Sequence, residues 1–324
     1  MDGYIALETG RRRTLKAAIG CVGIGLHSGR RVALTLRPAA AGTGIRFHRT
    51  DIGLEIPAIF DHVVDTRLCT VLASPEAPQH RIGTVEHVMA ALAGCGVDDA
   101  VIELDGPEVP ILDGSAAPFV FLIDCVGLTA HGGFGSGKAE AIEVLRPVRV
   151  QEGEGPNAAW AVLSPTGGDR FEAALTIDFP NTAIGRQSLS LRLSPQVFRA
   201  GLADARTFTL AEDVARLRAA GLALGGSLAN AVVVDGPAVL NPGGLRRPDE
   251  FVRHKMLDVV GDLALAGAPI RGRFSGHRSG HALNNRLLRA LFADHANWRA
   301  LPAGASVEGG GRVPVAAAAA AAVA

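Results

Sequence analysis

The chain has 324 residues, 48% of them hydrophobic and 5% aromatic, and its 32 Lys and Arg are balanced by 32 Asp and Glu. That length exceeds one ordinary domain, so two domains are expected, with a core built from Ala, Val, Leu and Ile, and a disordered chain is excluded. The arginines are scattered and form no blocks, which argues against a nucleic-acid binder but leaves room for a local anion site.

At the start, "RRRTLKAAIGCVGIGL" joins a basic run to an apolar one. It runs into "HSGRR" with no small-residue cleavage site, so it reads as a first strand and not as a signal peptide. "GLHSG", residues 25–29, is explained equally by a turn between strands or by a place beside a ligand. "RVALTLRPA" then alternates as a strand, "TVEHVMAALAGCGV" has helical rhythm closed by glycine, and "DDAVIEL" is a strand again. The pattern is α+β. Glycines crowd "HGGFGSGKAEA", residues 131–141, which marks a linker between a first domain, 1–130, and a second, 142–300.

In the second half "IEVLRPVRVQE", "AAWAVLSP" and "FEAALTIDF" read as strands and "SPQVFRAGLADA" as a helix. The stretch of about 209–240 combines an amphipathic helix, "LAEDVARLRAAG", with a strand, "NAVVVDG", and reads as an insert. Beyond it, "VRHKMLDVVG" shares V-x-H-x-M with the earlier "VEHVMAALAG", which sets His254 and His87 at corresponding points of two helices and suggests an internal duplication. Residues 301–324 collapse into Gly and Ala and are expected to be poorly ordered. No run reaches the ~20 apolar residues of a membrane span. Cys21, Cys69, Cys95 and Cys125 form no CxxC pair. A soluble, cytoplasmic protein with reduced thiols is expected.

On the helix at 251–265, His254, Asp258 and Asp262 follow at four-residue spacing and fall in one stripe, with Met256, Val259, Val260 and Leu263 on the other side. Such a stripe is either a solvated face with a helix-stabilising His/Asp pair or a site. As a site, His254 and Asp258 would offer a nitrogen and an oxygen to one metal ion, for which zinc is the natural candidate. Asp262, about 12 Å along the axis from His254, is too far to join them. His87 is the strongest candidate for a third ligand. Glu86 beside it is placed to take a proton from water whose pKa the metal lowers to ~7, although a helix-start acid next to a satisfied histidine explains the pair as well. Asp262 could orient either His277 or His281, both in "SGHRSGHALNN", and spacing does not choose between them.

"TVEHVMAALAG", "ILDGSAAPF", "ARTF", "LGGS", "FVRHKMLDVVGDL" and "SGHALNN", in that order, resemble the zinc-dependent UDP-3-O-acyl-N-acetylglucosamine deacetylases of lipid A biosynthesis, from about Arg13 to Arg299. The resemblance implies two similar α+β domains with helices sandwiched between them and the active site at their junction. It implies His87, His254 and Asp258 as zinc ligands, in a set that also accommodates iron(II). It further implies Glu86 as general base, His281 with Asp262 as the second catalytic pair, and Thr207 facing the oxyanion. Lys255 would meet substrate phosphate and Phe208 would pack on substrate. Arg278 stands where many relatives have Lys, and should hold diphosphate with a planar fork in place of a point charge.

The implied reaction is hydrolysis of the N-acetyl group of UDP-3-O-acyl-N-acetylglucosamine by a monomer that inserts in no membrane. The insert would wall an acyl passage with Leu210, Val214, Leu217, Ala220, Leu222 and Leu224, unless its helix packs only on its own domain. Cys69 in "TRLCT" reads as a core cysteine or a lining residue of that passage. Two rivals are a zinc peptidase, for which no HExxH is present, and a non-catalytic nucleotide-sugar or lipid binder with a structural metal. Structural zinc is normally closed by four protein ligands, so a three-ligand set beside a Glu favours an open, working site.

Overall fold

The computed structural model describes residues 11–132, 140–155, 158–168 and 171–302. Alternation builds its sheets. In the strand Arg31–Pro38, Val32, Leu34 and Leu36 are buried while the residues between them are more exposed, the period-two pattern of a sheet covered on one face. In the first half the strands run in the order Ile19–Ile24, Arg31–Pro38, Ala100–Leu104, Ile45–Arg49, Leu54–Pro57. The central Ala100–Leu104 is antiparallel to Arg31–Pro38 and parallel to Ile45–Arg49.

The second half repeats that order strand for strand. Val148–Glu152, Ala159–Ser164, Ile270–His277, Phe171–Phe179 and Gly185–Arg192 are neighbours in turn, and Ile270–His277 is antiparallel to Ala159–Ser164 and parallel to Phe171–Phe179. The ends of each half also pair alike: Arg13–Leu15 with Leu128–Ala130, and Glu140–Val144 with Trp298–Pro302, both antiparallel. Each half carries a small three-stranded sheet at the same point in its order, Val63–Asp65, Val71–Ser74 and Ala77–Ile82 in the first, Phe208–Leu210, Val232–Asp235 and Ala238–Val239 in the second. The stretch at 209–240 therefore has a positional counterpart that sequence patterning did not reveal.

Among the described residues there are six α-helices: α1 (Glu86–Cys95), α2 (Ala117–Val126), α3 (Pro195–Gly201), α4 (Ala211–Ala219), α5 (Glu250–Ala264) and α6 (His281–Phe292). None is long and apolar enough to cross a membrane. α1 stops where the sequence suggests, at Gly96, whose φ of 75° is the left-handed conformation glycine reaches without strain. α1 packs on α5, α2 on α1 and the strand Ile19–Ile24, and α6 on α5 and the strands Val148–Glu152 and Ala159–Ser164. At the crossing of α1 and α5 a side chain is excluded: a Cβ on Gly261 would lie 2.1 Å from the Glu86 carbonyl oxygen. That glycine lets the two backbones approach and brings the start of α1 against the middle of α5.

Two boundaries read from composition shift. Glu140–Val144 begins inside the glycine-rich stretch 131–141, and Trp298–Pro302 runs past residue 300, because these strands satisfy one another's backbone groups across the sheet. Of the expected linker, residues 133–139 lie outside the described residues, as does the expected disordered tail from 303 onward.

Candidate metal centre and acid–base site

The stripe on α5 is buried. His254, Asp258 and Asp262 are 2%, 2% and 3% exposed, so the solvated-face reading fails: α5 has no wet side here because α1 and α6 both cover it. Ionisable groups taken so far from water need partners or a metal. His87 and Glu86, from the first turn of α1, are buried in the same place.

Asp258 is the centre. Its Oδ1 lies 3.4 Å from His254 Nε2 and 3.9 Å from His87 Nε2, and the two imidazole rings meet edge to face with centroids 5.1 Å apart. One donor atom from each of the three residues falls within 4.8 Å of the others. Asp258 Oδ1 accepts no hydrogen bond although it is buried, and His87 Nδ1 is likewise unpartnered. Zinc–ligand bonds of roughly 2.0–2.2 Å set tetrahedral ligand atoms about 3.3–3.6 Å apart, so the orphaned carboxylate oxygen stands at a zinc-like separation from His254 Nε2 and slightly farther than that from His87 Nε2. His254 is turned for this role. Its Nδ1 is 3.0 Å from the Ala205 carbonyl oxygen, which can only accept, so the proton sits on Nδ1 and the Nε2 lone pair faces Asp258. Lys255 Nζ donates to Asp258 Oδ2 at 2.8 Å and leaves Oδ1 for the histidines.

The electrostatics agree with a cation site. Burial, followed by the neighbouring His254, lowers the pKa of His87 to about 3, and burial lowers that of His254, so both imidazoles are neutral at neutral pH, the form in which a histidine can ligate a metal. Burial acts to raise the pKa of Asp258, but His254, Lys255, His281 and His87 outweigh it and hold the carboxyl below the usual range. Burial also opposes the charge on Lys255, and Asp258 more than offsets it, raising the ammonium pKa.

A second group adjoins the first. His281 opens α6, and its Nδ1 donates to Asp262 Oδ2 at 2.8 Å. The other ring nitrogen, Nε2, lies 3.9 Å from both Glu86 Oε1 and Asp258 Oδ2. Desolvation disfavours the imidazolium, but Asp262 outweighs it and the pKa is raised to about 9. Glu86 moves the other way from an ordinary acid, pushed up by burial to about 7. A base that titrates near neutrality thus faces a histidine that holds its proton, across the space beside the three-residue cluster. His277, the alternative partner for Asp262, ends its strand with its ring 6.2 Å from that of Trp160 and takes no part.

Phe208 lies against the cluster, its ring centroid 6.1 Å from that of His254 and 6.0 Å from Lys255 Nζ. The segment bearing Thr207 and Phe208 is pinned on both sides. Arg206 forms a buried ion pair with Glu250, Nε to Oε1 at 2.8 Å, and the Thr207 backbone N–H donates to the Gly114 carbonyl at 2.8 Å. "ILDGS" and "ARTF", distant in sequence, thereby meet. Arg278 follows the strand Ile270–His277 with a left-handed φ of 53°, and its N–H donates to Thr176 O at 2.8 Å.

Beside the first-half insert lies a cavity of about 490 Å³, lined by His27, Leu68, Cys69, Val71, Glu108 and Leu222 among others. Leu222 comes from the second insert, and the link after it lies on "GLHSG": Leu224 and Gly225 donate backbone hydrogen bonds to His27 O and Leu26 O at 3.2 and 3.0 Å. No residue of α4 is buried, and the helix contacts the strands Phe208–Leu210 and Val232–Asp235 of its own half. A larger cavity, of about 640 Å³, lies between Met89, Leu92, Phe171, Val260 and Leu263, and none of the cluster residues lines it.

Three contributors escaped the sequence reading. The Ala205 carbonyl fixes the His254 tautomer, Asn284 Nδ2 donates to Asp262 Oδ2 at 2.8 Å, and the Thr70 hydroxyl donates to Asp262 Oδ1 at 2.6 Å. Asn284 stands in "SGHALNN" and Thr70 in "TRLCT", but neither residue type signals a site from sequence.

The profile of the UDP-3-O-acyl N-acetylglycosamine deacetylase family matches residues 12–293. Among curated proteins, the UDP-3-O-acyl-N-acetylglucosamine deacetylase of Acidithiobacillus ferrooxidans is 49% identical over 290 residues, which cover 89% of this chain and 92% of the relative. Those of Shewanella halifaxensis and Anaeromyxobacter dehalogenans are 46% and 47% identical, again over 89% of this chain and over 91% and 89% of the relatives. With a profile spanning most of its length and relatives at nearly half identity over nine-tenths of theirs, the chain belongs to the UDP-3-O-acyl-N-acetylglucosamine deacetylase family.

Proposed function

We propose that this protein is a metal-dependent amidase that hydrolyses the N-acetyl group of UDP-3-O-acyl-N-acetylglucosamine, releasing acetate and the free amine, in lipid A biosynthesis. One observation carries the reading: three buried ligand-type side chains, His87, His254 and Asp258, with an orphaned carboxylate oxygen between the imidazoles, beside a base and a protonated histidine. The ligand set suits zinc and also accommodates iron(II).

When bound, the ion supplies Lewis acidity to the amide carbonyl and to water. Glu86 takes the proton from the attacking water, and its pKa near 7 suits it to accept and return a proton at neutral pH. Thr207 donates to the oxygen on which charge grows. His281, held charged by Asp262, protonates the departing nitrogen, which would otherwise have to leave as an amide anion. Lys255 and Arg278 meet the diphosphate and Phe208 packs on the substrate. The cavity between the two inserts receives the acyl chain, where each buried methylene contributes ~0.8 kcal/mol.

We also infer that two domains, 1–130 and 142–300, arose by duplication, with the insert at about 209–240 in the second. The shared strand order of the halves and the V-x-H-x-M match at His87 and His254 support this.

Acetate release from UDP-3-O-(hydroxyacyl)-N-acetylglucosamine, measured before and after chelation and again with zinc restored, tests the function. Activity that vanishes and returns supports the amidase; no turnover by the fully metallated protein overturns it.

A further inference from the structure

Thr70 closes the link between the strands Val63–Asp65 and Val71–Ser74 and is 1% exposed. Its backbone N–H donates to Glu86 Oε2 at 3.0 Å, and its hydroxyl donates to Asp262 Oδ1 at 2.6 Å across 192 residues of sequence. A single residue therefore gives a hydrogen bond to each of two buried carboxylates, one on α1 and one on α5. The two oxygens of Asp262 are served separately: Oδ2 accepts from His281 Nδ1 and from Asn284 Nδ2, while Oδ1 accepts from Thr70.

With donors on Oδ2 alone, the carboxylate could still turn about its Cβ–Cγ bond, and the His281 ring would follow it. A short, charge-assisted O–H···O⁻ bond to Oδ1 fixes the carboxylate plane, and the plane fixes the direction in which His281 Nε2 points. Asn284 is itself held, since the Ser279 hydroxyl donates to its Oδ1 at 2.7 Å, so the Oδ2 side is already rigid and the hydroxyl of Thr70 completes the frame.

We infer that Thr70 is a positioning residue for the deacetylation, acting through Asp262 to aim His281 at the departing nitrogen. This rests on the reading of Glu86 and the Asp262–His281 pair as the acid–base groups. Its backbone bond to Glu86 survives any side-chain change, so side-chain variants isolate the route through Asp262.

The test compares Thr70→Val and Thr70→Ser with the unmodified, zinc-loaded enzyme, and repeats Thr70→Val in an Asp262→Ala background, with zinc content and thermal unfolding followed on each. Outer hydrogen-bond partners of this kind typically matter by 10–100-fold, so Thr70→Val is expected to lower kcat by about 10-fold. KM should stay within about 2-fold, as for an interaction made in the transition state and not in substrate binding. Thr70→Ser, which restores the hydroxyl, should recover kcat to within about 3-fold. In the Asp262→Ala background the Val change should cost less than about 2-fold, because its target is gone. If Thr70→Val lowers the zinc content or the unfolding temperature, Thr70→Ala removes the hydroxyl without adding a methyl in its place and is read against the same Ser control.

A kcat for Thr70→Val and Thr70→Ala equal to that of the unmodified enzyme, or the same loss with and without Asp262, overturns the inference. Asp262→Ala turning over like the unmodified enzyme overturns the acid–base reading and this inference with it. A slow Asp262→Ala beside a fast Thr70→Val overturns this inference alone.

Discussion

α1 and α5 share the V-x-H-x-M motif and differ in what surrounds it. Val85, His87 and Met89 correspond to Val252, His254 and Met256, and all six are buried. Around that shared frame the other positions diverge. Glu86, 4% exposed, faces His281, whereas its counterpart Arg253 pairs with Asp249 at 2.7 Å near the surface. One turn after the histidine α1 has Ala91 and α5 has Asp258; one turn further α1 has Cys95 and α5 has Asp262. The first helix therefore places His87 and Glu86 at the site, and the second places His254, Asp258 and Asp262 there. Neither helix alone supplies all three residues of the His87, His254 and Asp258 cluster. The two sets meet because the helices cross closely at Gly261.

The sharpest break in that division is Glu86→Ala, which leaves His87, His254 and Asp258 in place. General-base removal typically costs about 10²–10⁴-fold, so kcat should fall by that order while zinc content, measured by atomic absorption, is unchanged. Asp258→Ala tests the other helix. It removes the oxygen between the two imidazoles, and the purified protein should lose its zinc together with its activity, whereas a protein that kept stoichiometric metal would place the site elsewhere.

Asp262→Asn should lower kcat by about 10–100-fold with little change in metal content. Its pH profile carries a sign. His281 is protonated below a pKa of about 9 because Asp262 outweighs the desolvation that disfavours its charge. Activity that needs this proton falls as pH rises through that value, and removing the carboxylate charge must move the fall to lower pH. A basic limb that stayed in place would separate His281 from Asp262.

The smallest expected effect concerns the crossing itself. Gly261→Ala puts a methyl where the Glu86 carbonyl oxygen already sits, and overpacking of this kind costs on the order of 1–3 kcal/mol, to be read as a lower unfolding temperature. If the variant instead matches the unmodified protein in both stability and kcat, the helices have room to part and the close approach is not what sets Glu86 against α5.

What the sequence determined by itself was local. A 3.6-residue repeat places His254, Asp258 and Asp262 on one stripe and bars Asp262 from the coordination sphere of His254, because those distances are fixed by backbone geometry. The matching motif in α1 and the glycine that ends it were readable for the same reason, and ordered motifs carried the family resemblance. Tertiary structure decided the rest. Whether the stripe met water or protein depended on α1 and α6, which arrive from opposite ends of the chain. Asp262 took His281 and not His277 because the strand Ile270–His277 directs His277 toward Trp160 while α6 starts against α5. The Thr70 hydroxyl meets a carboxylate 192 residues away. Such pairings leave no mark in spacing or periodicity, since each side chain's neighbours are chosen by how the helices cross and the sheets stack, and not by the residues next to it in the chain.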